Sequence, residues 1–490
     1  MPEISKEQFT KGTFWKLLER FAGRGISLVI SFILARLLSP DDYGLIALTT
    51  VFTNLSEILI DAGFSTALIR KKDVDEADYA CVFAISSSIS LVLYIVLFFA
   101  APFVSQYYAR PELTAVLRVM SLVLFIQAFA STRNAYVNRN MQFKLLMKCN
   151  TIAAIISGGI GIASAYVGFG VWSLVVQRLL QQTIITLLLF IKIKWKPKFK
   201  FSKAKFKEMF SFSIGVIGAS MVNYVENCVN SLVVGKHYSV ADLGYYDKGN
   251  ILPEQVSLNS FGAMTNVLLP TVSSYQDDVV KLKKVIQKVV KYTCFIMFPI
   301  MLGMLMVSRE AVIVLFSDKW LPSVPLMRSI CIYYIATPLM LIDVQVFFGL
   351  GHSKLRLKSE IFRMFFILAG VFSCCFIFKL EIWCLALANA IAVSLGTLVT
   401  HIEVKKLINY SLCERLHDTY KSLIASAIMC GFLYGVSELI LNIPLPTIVV
   451  LLFKAIVGII IYMGVSVILK NEVLIELFQT IHQKRGKEHG

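Results

Sequence analysis

Lys16, Arg20 and Arg24 recur at i, i+4 and i+8 in an apolar run near the start of the chain that Glu19 also interrupts. On a helix this spacing puts all three on one face, spread over about 12 Å of depth. Cations inside an apolar span are costly unless they meet counter-charge, water or a ligand, so the ladder marks a place for anion binding. Guanidinium forks suit phosphate oxygens particularly well. Arg178 and Lys248 add positive charge in later apolar runs, and the counter-charges are Glu57, Asp61, Glu226 and Glu254. Two readings of the ladder stand side by side: contact with an anionic ligand, or fixed pairing of Arg20 and Arg24 with Glu57 and Asp61, which share a helical face. The four carboxylates are also the candidate ion carriers, because burial raises a carboxylate pKa and a nearby arginine lowers it. Asp61 comes first among them, as a partner that Arg20 or Arg24 gives up when an anion competes for the cation.

The elements that hold these residues are membrane helices. Of 490 residues, 57% are hydrophobic and 16% charged, whereas a soluble domain carries about 25% charged residues. Apolar runs of about 20 residues recur almost from end to end. This excludes a disordered chain, a secreted disulfide scaffold and a nucleic-acid module, although 48 basic against 31 acidic residues leave a net charge of +17. No cleavable leader is expected, since MPEISKEQFTKG is polar. Fourteen spans are expected, near 14 to 37, 43 to 68, 79 to 103, 114 to 135, 149 to 167, 170 to 191, 209 to 235, 241 to 271, 292 to 316, 325 to 349, 358 to 379, 382 to 402, 420 to 440 and 446 to 469. The second and eighth are polar, with Asn54, Glu57 and Asp61 in one and Lys248, Asn250, Glu254 and Asn259 in the other. Such helices must face protein or water rather than lipid.

Lys and Arg fall overwhelmingly in alternate connections: 32 lie in the tails and the segments on one side, and only Arg36, Arg110, Lys236, Lys319 and Lys379 on the other. The positive-inside rule then puts both termini in the cytoplasm. The densest segment, KIKWKPKFKFSKAKFK from Lys192 to Lys207, lies on anionic inner-leaflet lipid, where each cation contributes on the order of 1 kcal/mol. Nucleic acid is not expected as a partner. Arg118 and Arg328 read as anchors near the outer face, and Lys454 and Arg363 as snorkelling cations. The cysteines and six histidines show no metal-ligand spacing, no GxxxxGK[ST] phosphate loop is present and no acid/base constellation assembles. No metal, cofactor or catalytic group is expected.

SFILARLLSPDDYGL from Ser31 matches SLVVGKHYSVADLGY from Ser231 at a constant offset, pairing Ser39 with Ser239, Asp42 with Asp242 and Gly44 with Gly244. Arg118 pairs with Arg328 and Trp172 with Trp383 further along, in the same order. Two six-helix repeats follow, parallel because each holds an even number of spans. The expected layout is an N-terminal half over 1–191, a basic cytoplasmic linker over 192–208, a C-terminal half over 209–402, and two additional helices with a cytoplasmic tail over 403–490. Asp42 and Asp242 read as caps of outer turns, and the Gly168 to Gly170 turn as a tight bend.

ARLLSPDDYGLIALTTVF from Ala35, DAGFSTALIRKKD from Asp61, GFGVWSLV from Gly168, GKHYSVADLGYYDKGN from Gly235 and KWLPSVP from Lys319 together resemble the polysaccharide-exporter family of lipid-linked oligosaccharide flippases, in the branch similar to colanic-acid and teichuronic-acid exporters. The resemblance covers about residues 10 to 405. It implies an inner-membrane exporter that moves an undecaprenyl-pyrophosphate-linked saccharide outward by alternating access, for capsule, exopolysaccharide or O-antigen assembly, alongside a polymerase and glycosyltransferases. In such a protein Lys16, Arg20, Arg24, Arg178 and Lys248 are the cations to line a pyrophosphate and sugar cavity. Two rivals stand beside it. A drug/cation antiporter of the same superfamily accords poorly with a cavity richer in cations than acids. A membrane glycosyltransferase or polymerase on the same carrier usually displays a long charged outer loop, whereas the outer connections here are short.

Overall fold

The computed structural model describes residues 25–61, 74–140, 142–193, 202–440 and 445–476, with the single positions 64, 68, 71 and 479. All regular structure among them is helical. In chain order the helices are α1 (Gly25–Leu37), α2 (Pro40–Asp61), α3 (Glu76–Tyr108), α4 (Glu112–Met120), α5 (Val123–Arg139), α6 (Phe143–Tyr166), α7 (Val171–Lys192), α8 (Lys203–His237) and α9 (Val240–Ser274). They continue with α10 (Val279–Met306), α11 (Ser308–Phe316), α12 (Ser323–Gly349), α13 (Ser353–Phe372), α14 (Ile382–Ile408), α15 (Leu412–Ile440) and α16 (Thr447–Ile468). Eleven stretches among the described residues are long and apolar enough to cross a membrane. The protein is therefore an all-α, multi-pass membrane protein.

Several helices run further than their apolar cores. The tenth begins at Val279, thirteen residues before its expected start at 292, and the fifteenth at Leu412 rather than 420. The added turns of α10 are basic and those of α15 carry carboxylates, and ion pairs hold them. Lys283 reaches Glu414 at 2.7 Å, Lys288 reaches Glu476 at 2.8 Å, and Lys291 reaches Glu472 at 2.6 Å and Asp418 at 3.2 Å. Charge marks the end of an apolar run in the sequence, yet a helix continues as long as its backbone bonds are made.

Caps fix the helix starts. Asp75 and Asp78 form a reciprocal capping box at α3, each carboxylate accepting from the other's backbone N–H. The turns at Ser39 and Ser239 use one device twice. Asp42 N donates to Ser39 Oγ at 3.2 Å and Ser39 Oγ to Asp42 Oδ2 at 2.6 Å; Asp242 N donates to Ser239 Oγ at 3.0 Å and Ser239 Oγ to Asp242 Oδ2 at 2.7 Å. Gly168 and Gly170 adopt φ of 90° and 52°, the left-handed region that the tight bend before α7 requires.

Contacts divide the chain into two compact units, Met1–Gly244 and Tyr245–Gly490. In the first, α2 packs on α3, α5 and α8, and α6 packs along α7. Ile60, Leu97, Val123, Leu124 and Ala128 form one of its apolar centres. In the second, α12 packs on α14 and α10, and α10 on α15. Its largest described core joins Val272, Ile286, Val290, Cys294, Ile342, Phe347, Val404 and Tyr410. α12 has 56% of its apolar stretch buried inside the protein and α16 only 17%, so α12 is interior and α16 is left to lipid.

Candidate functional site

The ladder of Lys16, Arg20 and Arg24 lies outside the described residues. Asp61 closes α2 and Glu226 sits in α8 as backbone, and their side chains also lie outside the described residues. Arg178, Glu57, Lys248 and Glu254 are described.

In the first unit, α7 carries Arg178 and α2 carries Glu57, and Arg178 Nη2 lies 3.7 Å from Glu57 Oε1. Glu57 therefore has a cation partner other than those assigned to it from sequence. One turn along α7 from Arg178, Gln182 Nε2 donates to Gln127 Oε1 of α5 at 2.5 Å. Tyr224 of α8 donates its hydroxyl to the Val51 carbonyl of α2 at 2.8 Å. Polar side chains from α2, α5, α7 and α8 thus pair between helices of the first unit. Arg178 keeps 46% of its side chain exposed and Glu57 22%, which leaves a guanidinium able to take a further anion.

The sequence reading passed over Arg133, which is fully buried on α5. Its Nη1 donates to the Phe129 carbonyl at 2.7 Å, and the guanidinium lies 4.4 Å from the Phe190 ring centroid. A signal was available: an arginine flanked by SerThr and AsnAla in a helix otherwise apolar. Its place near the expected end of a span at 135 concealed it.

In the second unit, Lys248 on α9 is 3% exposed and lies 3.8 Å from Asp247 Oδ2. Glu254, two turns away on the same helix, accepts from Asn250 Nδ2 at 3.0 Å, and Asn250 Oδ1 accepts from the Tyr334 hydroxyl of α12 at 3.3 Å. The polar face of α9 is thus turned to protein, as a polar span requires.

Two expectations are corrected. Lys454 does not snorkel: it is 4% exposed on α16 and bonds Glu310 of α11 at 2.5 Å. Arg363 is also buried, paired with Glu360 on its own helix and packed against Gly396. Both cations find counter-charge within the protein. Arg118 and Arg328 also bond within the protein, in equivalent ways. Arg118 Nε donates to the Phe98 carbonyl at 3.1 Å and Arg328 Nε to Ser308 Oγ at 2.9 Å, each partner twenty residues upstream.

Two cavities adjoin these helices. One, of about 490 Å³ in the first unit, is lined by apolar side chains including Leu59, Phe64, Ile85, Phe206 and Phe210. The other, of about 380 Å³ in the second unit, is apolar except for Lys454 and Tyr462. No group of three or more metal-ligating side chains occurs among the described residues.

Polar, partly paired side chains are thus held inside a multi-pass bundle of helices, a fold shared with solved membrane proteins. The lipid II flippase MurJ, in an inward closed conformation, has this fold, with a TM-score of 0.76 at 17% identity over 93% of this chain and 99% of that one. An inward-facing multidrug resistance MATE family transporter of the MOP superfamily shares it at a TM-score of 0.61 and 16% identity, over 79% of this chain and 95% of that one. The chain belongs to the polysaccharide biosynthesis protein family, which matches residues 33–325. It is 25% identical over 322 residues to the succinoglycan biosynthesis transport protein ExoT of Rhizobium meliloti, 65% of each chain. It is 21% identical to the teichuronic acid biosynthesis protein TuaB of Bacillus subtilis, over 72% of this chain and 74% of that one. The lipopolysaccharide biosynthesis protein WzxC of Escherichia coli is also 21% identical, over 67% of each chain.

Proposed function

We propose that this protein is a secondary transporter that moves a saccharide unit carried on undecaprenyl pyrophosphate from the cytoplasmic to the outer leaflet of the bacterial inner membrane, by alternating access and without chemistry on its substrate. The observation that carries the reading is the conjunction of a polysaccharide biosynthesis family with the fold of a lipid flippase over nearly the whole chain. The cations supply the physical reason. A pyrophosphate crossing a bilayer needs fixed positive charge near its path, while the polyprenyl tail stays in lipid.

Lys16, Arg20, Arg24 and Arg178 are the proposed pyrophosphate and sugar contacts, and Lys248, buried in this conformation, is the cation that opening exposes. Asp61, Glu57, Glu226 and Glu254 are the proposed coupling carboxylates. The layout of fourteen spans, with halves over 1–191 and 209–402, the 192–208 linker on inner-leaflet lipid and both termini cytoplasmic, belongs to the same proposal. Polymerase and glycosyltransferases act before and after transport.

A deletion strain tests the function. Extraction of its lipids should recover the unpolymerised saccharide on its carrier, accumulated behind the block and cleared when the gene is restored. A deletion strain with a normal polymer and no accumulated carrier would overturn the reading.

A further inference from the structure

Asp343 of α12, His401 of α14 and Arg415 of α15 meet in the interior of the second unit, none more than 5% exposed. Arg415 Nη1 donates to Asp343 Oδ2 at 2.7 Å and faces His401 Nδ1 at 2.6 Å, while Nη2 donates to the Leu339 carbonyl at 3.1 Å. A guanidinium only donates. His401 Nδ1 must therefore accept, which makes the ring neutral and puts its proton on Nε2. The arrangement leaves hydrogen-bonding capacity unused: His401 Nε2, Asp343 Oδ1 and Arg415 Nε are all buried without a hydrogen-bond partner. Each such atom has given up its hydration without gaining a partner. Asp343 Oδ2 lies only 3.9 Å from His401 Nδ1, so a second arrangement of the same three side chains is close at hand.

We propose that the triad is a proton site that exchanges partners and thereby controls the docking of α15. A proton from water at the adjacent membrane face binds His401 Nδ1 and turns an acceptor into a donor. The new N–H opposes the N–H of Arg415 and takes Asp343 Oδ2 in its place. Arg415 keeps the Leu339 carbonyl alone, and because it lies in the first turn of α15, the start of that helix loosens from α12 and α14. Loss of the proton restores the arrangement seen here.

The surroundings accord with a controlled site. Tyr410, in the short connection before α15, sets its ring edge-on to His401 at 5.5 Å and donates its hydroxyl to Asp418 at 2.9 Å. Lys291 of α10 pairs with Asp418. From α13, Arg363 brings its guanidinium to the Met340 sulfur at 3.5 Å and pairs with Glu360. Of the histidines among these helices, His401 is buried and His417 is exposed. The site goes beyond the transport reading, and its test needs no saccharide.

Cys413, exposed and two residues before Arg415, is a native reporter for the start of α15. The purified full chain in lipid nanodiscs, tagged there with a trifluoromethyl group, is followed by fluorine NMR from about pH 8 to about pH 5. The expected result is a reversible transition between two resonances as the pH is lowered. His401→Gln, whose amide oxygen still accepts from Arg415 but cannot titrate, should hold the high-pH resonance throughout. His417→Gln should titrate like the unaltered chain. A resonance that stays flat in the unaltered chain, a His401→Gln variant that titrates normally, or loss of the transition in His417→Gln would each overturn the proposal.

Discussion

Arg178 Nη2 lies 3.7 Å from Glu57 Oε1, joining α7 to α2 with both side chains partly exposed. A pair of this kind contributes about 0–1 kcal/mol to stability. On the proposed function its cation serves the pyrophosphate rather than the stability of the bundle. Arg178→Ala should leave membrane abundance unchanged and lower saccharide-lipid transport by about tenfold, the size expected for losing one charge-assisted contact. The swapped pair Glu57→Arg with Arg178→Glu separates the two roles. Transport should stay low in the swap; full recovery would assign the pair to structure alone.

Gly44 and Gly244 occupy one position in the turns that begin at Ser39 and Ser239, and each turn closes on the other. A Cβ on Gly44 would run into the Val240 carbonyl oxygen, and one on Gly244 into the Pro40 carbonyl oxygen. Val240 and Pro40 are themselves matched positions, so the contact is reciprocal. Backbone cannot step aside as a flexible side chain does, and Gly44→Ala or Gly244→Ala should each destabilise by about 1–3 kcal/mol or more. Gly159→Ala, on α6 with nothing within 4 Å, should be neutral. Thermal unfolding in detergent, read side by side for the three variants, checks this; equal melting would contradict the close approach.

Lys454 and Glu310 form a buried pair, so neutralising one partner strands the other. Lys454→Ala should cost about 3–5 kcal/mol, and Lys454→Met combined with Glu310→Leu should recover most of it. Melting temperatures of the single and double variants decide the matter. A neutral single variant would return Lys454 to the lipid interface.

Asp75 caps α3 and bonds Lys205 in the first turn of α8. The ammonium and the Asp78 backbone N–H hold its carboxyl below the ordinary 3.8, at about 2. A depressed carboxylate pKa stabilises above the unfolded value and loses that contribution as pH falls through the folded one. The link between α3 and α8 should therefore be unchanged from neutral pH down to about 4 and be lost progressively toward about 2. Asp75→Asn should remove that acid-dependent component, measured as the difference in protease susceptibility near residues 202–207 at the two pH values. An unaltered chain equally susceptible at both would contradict it.

Much of the fold was legible because lipid imposes simple rules. Apolar length gave the helices and matched turns gave the caps at Asp42 and Asp242, since these depend on nearby residues. What was not legible depends on residues far apart in sequence. Asp343, His401 and Arg415 look like an interior carboxylate, a span-end histidine and a loop arginine until three helices bring them together. Lys454 looks like a snorkelling cation until Glu310, 144 residues earlier, is found beside it. The start of α10 was hidden because its lysines resemble a loop, and only the carboxylates of α15 and the chain beyond α16 explain why they stay helical.

The central claim is translocation of a pyrophosphate-linked saccharide. Purified protein is reconstituted into proteoliposomes carrying the carrier-linked saccharide extracted from the deletion strain, and a membrane-impermeant glycosidase reports how much becomes exposed at the outer surface. Protein with an imposed ion gradient should raise the exposed fraction well above that of protein-free liposomes, and Arg20→Ala with Arg24→Ala should abolish the rise while Lys405→Ala, at an exposed position, leaves it intact. An exposed fraction no greater than in protein-free liposomes would contradict the claim.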